Sequence, residues 1–98
     1  MQGINVLDYA TLAVDGAVNL VDNASPPLPA KCKRIFITSE TDAVRWRADG
    51  TAPTATEGHV LAKDDSISFT GANYRQLLEN IQFIKVTTAA SLRITYFD

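Results

Sequence analysis

The chain has 98 residues, the size of a single domain, and at 10.6 kDa it buries only about 60–65% of the surface its unfolded form exposes. A fold this small usually needs a staple, yet Cys32 is the only cysteine and His59 the only histidine, which excludes an internal disulfide and a protein-only zinc site. A net charge of −2 and a pI near 5.2 argue against affinity built on phosphate neutralisation, and no run nears the roughly 18 apolar residues of a membrane span.

The N-terminus lacks a basic region followed by an apolar core, so no cleaved export signal is expected. A lone cysteine fits a soluble chain in a reducing compartment. Oligomerisation, or docking on a larger assembly, is the remaining route to stability. The charge is also unevenly placed. Asp8, Asp15 and Asp22 are unaccompanied by Lys or Arg until Lys31, Lys33 and Arg34 arrive together, a pattern that suits complementary surfaces.

In chain order, "ATLAVDGAVNLV" places alternating apolar residues on both sides of Asp15-Gly16, which predicts a hairpin with strands near 10–14 and 17–21. "NASPPLPA" reads as a linker, since prolines at 26, 27 and 29 cannot donate to a ladder. "KCKRIFIT" alternates Lys33, Ile35 and Ile37 against Cys32, Arg34 and Phe36, a strand covered on part of both faces. "DAVRWRA" is a second strand, with Val44 and Trp46 on one face and Arg45 and Arg47 on the other. After a loop held off pairing by Pro53, "HVL" and "SISF" are joined by the polar turn "AKDD". "NYRQLLEN", 73–80, has room for one or two helical turns. "IQFIKVT" and "SLRITYF" end the chain, joined by "TAA".

About eight short strands with turns every eight to twelve residues predict an all-β chain. The expected architecture is one antiparallel β-sandwich or jelly roll spanning 1–98, with at most one short helix near 73–80. Residues 1–30 form an N-terminal hairpin or arm with the proline linker, and 31–98 the sandwich core.

Catalysis finds little support. A Ser-His-Asp or Cys-His scheme must use His59, and no serine sits in a Gly-x-Ser-x-Gly elbow. Cys32 in an alternating strand behaves as a small buried hydrophobe. Asp15, Asp49, Asp64 and Asp65 lie in turns, where Asp is the ordinary turn former. The glycines are scattered singly and make no phosphate cradle. No catalytic, cofactor-binding or metal-binding residues are therefore assigned, and the chain is expected not to be an enzyme. Trp46 is expected in the core. Arg45 and Arg47 project together and suit Asp42, Asp49 or a partner's carboxylates. Candidate partner contacts are Arg45, Arg47, Asp49, Lys31 and Lys33.

The run "VRWRADGTAPTATEGHVLAKDDSISFTG", followed by "FIKVTTAASLRITYF", resembles a pattern in small virion proteins of tailed bacteriophages. In these, a strand with an aromatic between polar residues leads into an "R-x-D-G-T-A-P-T" loop. A "D-S-I" strand and a closing strand ending in tyrosine follow. The resemblance covers residues 31–98. It implies a jelly roll or related β-sandwich with no catalytic residues and no cofactor.

The role the resemblance implies is head decoration, or cement, on the capsid exterior after synthesis in the host cytoplasm. The partners would be the major capsid protein and copies of the chain itself, as a dimer or trimer, with no nucleic acid and no membrane. The hairpin 10–21, the linker 23–30 and the loop 49–58 are the candidate contact elements. The alternative is a carbohydrate- or host-recognition module, or another structural component of a phage tail or fibre. Exposed aromatics in one groove would mark that alternative, and a flat apolar patch with flanking charges would mark cement.

Overall fold

Apolar residues at every second position give a segment one face for the core and one for water, and this alternation sets the strands of the chain. The computed structural model describes residues 5–69 and 75–98. Its elements in chain order are β1 (Val6–Val14), β2 (Val18–Asn19), α1 (Leu20–Asn23), β3 (Arg34–Glu40), β4 (Val44–Arg47) and β5 (His59–Leu61). They continue as β6 (Ser66–Phe69), α2 (Arg75–Asn80), β7 (Gln82–Lys85) and β8 (Ala90–Phe97). The strands form two antiparallel sheets, a first sheet ordered β1-β8-β3-β6 and a second ordered β2-β7-β4-β5. Consecutive strands lie in opposite sheets at every step except β4–β5, the double Greek-key path of a jelly roll. The predicted all-β sandwich is present.

β8 shows how the sheets close on one core. Ala90, Leu92, Ile94 and Tyr96 are buried, while Ser91, Arg93, Thr95 and Phe97 turn outward. Leu12 and Val14 of β1 and Ile35 and Ile37 of β3 join them, and Val44, Leu61 and Phe83 face them from the second sheet. Each fully buried Leu, Ile or Phe contributes about 1.5–3 kcal/mol.

The connections gather at two ends. At one end lie the turns 15–17, 41–43, 62–65 and 86–89: Lys85, just before 86–89, pairs with Asp15, and Asp64 N donates to Ser39 O at 2.8 Å. At the other, Arg75 Nη1 donates to Pro29 O at 2.7 Å and Cys32 O at 3.0 Å, joining α2 to the 20–33 connection. Loop 48–58 lies at this second end, since Arg47 pairs with Gln82 just after α2.

Three expectations are corrected. The hairpin over 10–21 does not form: β1 pairs along β8, whereas Val18 and Asn19 pair with Phe83 and Gln82 in the second sheet. Gly16 does not take the positive φ that a type I′ turn requires. Splitting the two apolar runs between sheets lets Leu12, Val14 and Leu20 all enter one core, and that burial outweighs the local turn signal.

The helix expected near 73–80 is α2, with 73 and 74 outside the described residues, but a second short helix, α1, exists. The Asn19 side chain accepts from Asp22 N at 2.7 Å and so caps it. Cys32 is buried as expected, yet it precedes β3 rather than lying in it. Its thiol donates to Arg34 O at 3.2 Å.

The proline segment is more than a spacer. Ser25 exchanges backbone hydrogen bonds of 3.0 and 2.9 Å with Thr11, and Tyr96 Oη donates to Pro26 O at 2.8 Å. Burial pushes the Tyr96 hydroxyl pKa well up, which keeps it a donor.

Candidate functional site

β4, loop 48–58 and β5 make the only hairpin among the described residues, and its register builds a site. Trp46 lies directly opposite His59, so both side chains share one face. Their ring centroids are 4.7 Å apart at 37°. Phe69 meets Trp46 edge-on at 5.5 Å, and Phe69 in turn stands opposite Ile35 of β3. Trp46 therefore packs against the core but is only partly buried. The expected core anchor is also a wall of the surface.

Beside these rings opens a cleft of about 570 Å³, lined by Trp46, Arg47, Ala48, Asp49, Glu57, Gly58 and His59. Arg47 forks onto Asp49, with Nε to Oδ1 at 3.1 Å and Nη2 to Oδ2 at 2.5 Å. The hydrogen bond from Arg47 holds the Asp49 carboxyl below the usual carboxylate range. Asp49 in return raises the Arg47 pKa, and Glu57 adds a smaller attraction to the same guanidinium. The cleft thus carries one fixed cation between two carboxylates.

The loop that supplies Glu57 is built from within. Asp49 Oδ1 also accepts from Thr51 N at 3.3 Å, and Thr54 Oγ1 accepts from Glu57 N at 3.0 Å. Pro53 is buried. Gly58 sits at φ +130, where a Cβ would come within 3.1 Å of both Pro53 Cβ and Trp46 O. Only glycine fits that backbone without strain. Arg45 lies behind the cleft and ties the loop down, donating from Nε to Ala55 O at 2.9 Å and from Nη1 to Gly58 O at 2.7 Å.

The five candidate contact residues thus separate. Arg47 and Asp49 meet in the cleft. Arg45 faces the loop's own carbonyls, and neither Asp42 nor Asp49 takes its guanidinium. Lys31 and Lys33 are exposed on the connection before β3 and do not line the cleft. Glu57 and His59 join the wall although sequence reasoning passed them over. The signal for His59 was the β4–β5 register, which needs the loop length to be known.

A second surface is the outer face of the first sheet. Tyr9, Thr95, Phe36 and Ser68 stand side by side across β1, β8, β3 and β6, and Val6, Phe97 and Arg34 form the next row. Val6, Tyr9 and Phe36 are 63%, 55% and 41% exposed, far above the usual burial of such side chains. On the other side of this patch Arg93 Nε pairs with Glu40 Oε1 at 3.1 Å.

Cys32 does not line the cleft. Burial pushes its thiol pKa up, against the opposing pull of backbone hydrogen bonds and of Arg75. Among the described residues no three His, Cys, Asp or Glu side chains gather to hold a metal. Comparison of the chain with protein-family models, curated proteins and solved structures returns no match.

Proposed function

We propose that this chain is a non-enzymatic structural protein of a tailed-phage virion, a decoration (cement) protein that seats on the major capsid protein. The observation that carries the reading is the outer face of the first sheet. A flat patch of Val6, Tyr9, Phe36 and Phe97, bordered by Arg34 and the Arg93–Glu40 pair, has the makeup of a contact surface. Aromatic side chains bring large contact area at low entropy cost, and flanking charges set register.

The jelly-roll path adds a weaker argument, because viral shell domains use this fold, as do lectins and other unrelated proteins. Each copy bound to the shell stabilises its folded form by RT ln(1 + [L]/Kd), about 4 kcal/mol at a thousandfold excess over Kd. Contacts with further copies, in a dimer or trimer, multiply the hold on a shell of many sites.

The test adds purified protein to phage heads stripped of it and follows sedimentation of the mixture and heat resistance of the heads. The wild-type chain should co-sediment and raise resistance. A Tyr9→Lys, Phe36→Lys variant should keep its own melting temperature and lose both effects. Equal binding by variant and wild type would remove the sheet as the contact, and no binding by either would remove the cement reading.

A further inference from the structure

We propose that the cleft between β4 and β5 binds the ring of a neutral pyranose sugar, stacked beside Trp46 and held through its hydroxyls by Glu57, Asp49 and Arg47. This site is distinct from the sheet contact, so the two stand or fall separately.

The reasoning starts from charge. An anionic ligand meets two carboxylates, Asp49 and Glu57, in the same cleft. A cationic one meets the Arg47 guanidinium and would compete with it for Asp49, whose carboxylate is already forked. A neutral ligand with alternating donors and acceptors pays neither penalty. Sugar hydroxyls donate and accept at once, and the cleft offers both roles side by side. Among the described residues the Glu57 carboxylate accepts no hydrogen bond, and no acceptor takes the hydrogens on Arg47 Nη1. Asp49 keeps lone pairs beyond those Arg47 uses, and its fixed fork cuts the ordering cost of binding.

Shape agrees with charge. The apolar C–H face of a pyranose packs on an aromatic ring, and the exposed His59 ring, tilted over Trp46 with centroids 4.7 Å apart, stands beside the polar groups. The volume of about 570 Å³ falls within the range of small-ligand sites. Both strand walls and the loop are preset by Arg45, Pro53 and Gly58, so the site needs no rearrangement to receive a ring.

Trp46 is the sole tryptophan of the chain, so intrinsic fluorescence reads the site directly. The full chain is titrated with methyl glucopyranoside, methyl galactopyranoside, methyl mannopyranoside and N-acetylglucosamine, with glycerol at matched osmolality as control. Choline chloride and sodium phosphate serve as cation and anion probes. At least one sugar should give a saturable change with a Kd of about 1 mM, as expected for about a dozen heavy atoms in an open site.

Glu57→Gln and Asp49→Asn should each weaken that Kd about tenfold with an unchanged far-ultraviolet spectrum, the loss expected for a hydrogen bond to a charged group. Glu57 makes no side-chain contact the fold needs, so its variant keeps the test clear of misfolding. No saturable response to any of the sugars overturns the proposal. So does a response to choline or phosphate alone, or a sugar response that both variants leave intact.

Discussion

Replacing Arg45 with methionine asks whether this guanidinium shapes the loop or waits for a partner. Methionine keeps a long apolar stem and removes every donor. Two bonds are lost, to Ala55 O at 2.9 Å and Gly58 O at 2.7 Å. The first is exposed, and solvent screening leaves it worth about 0.5 kcal/mol. The second is partly buried and charge-assisted, worth about 1–1.5 kcal/mol. The sum is about 1.5–2 kcal/mol. For a domain of this size each kcal/mol moves Tm by about 4–8 °C, so the melt should fall by about 6–16 °C.

Amide exchange locates the damage. The reciprocal bonds between Thr54 and Glu57, at 2.9 and 3.3 Å, close the loop, and both amides should exchange at least about tenfold faster once Arg45 is gone. Arg47→Met is the control. Its pair with Asp49 is solvent-exposed, so that variant should melt at close to the wild-type temperature. An Arg45→Met protein that melts and exchanges like wild type would refute the reasoning and return Arg45 to the pool of partner contacts.

Gly58→Ala should destabilise by about 1–3 kcal/mol in chemical denaturation, through strained φ and the clash with Pro53, whereas Gly16→Ala, in open space, should be nearly neutral. Equal stabilities would mean the loop relaxes around Gly58. Tyr96→Phe should cost about 1 kcal/mol with an unchanged m-value, because it strips the donor from Pro26 O; no loss would show that the proline segment is held by other contacts. Native Cys32 should resist Ellman's reagent at pH 8 and react once the chain is unfolded; rapid labelling of the folded protein would contradict its burial. A folded pKa raised above the unfolded one adds stability that is whole below the unfolded thiol pKa, about 8.5, and fades as pH rises further. Tm should therefore decline from about pH 8.5 upward, with Tyr96 acting in the same direction, and Cys32→Ala should flatten the early part of that decline.

What was legible in the sequence was period, and what was hidden was partnership. The alternation of "SLRITYF" marks β8 with its inward Leu92, Ile94 and Tyr96, and "RIFIT" marks β3 in the same way. Neither says which strands flank them. Asp15-Gly16 carries a strong local preference, but register is decided by which side of the core each apolar run covers, a matter between residues about 80 apart for β1 and β8.

The site divides along the same line. Arg47 and Asp49, two residues apart, were readable as a pair. Arg45 was not readable as a staple, because its acceptors are backbone carbonyls 10 and 13 positions ahead, and carbonyls leave no trace in residue type. His59 and Glu57 enter the cleft only once an eleven-residue loop folds back, which composition does not encode.

The last strand of the chain is not the last layer of the fold. β8 lies between β1 and β3, so until residues 90–97 exist the first sheet has no centre, and β1 has no strand along which to pair. Without β8, the apolar edges of β1 and β3 would be open to pairing with the wrong neighbour. The residue after β8 also holds the residue before β1: Asp98 N donates to Asn5 O at 3.1 Å. A chain cut short of residues 90–97 should therefore be an aggregation-prone precursor rather than a half-built domain.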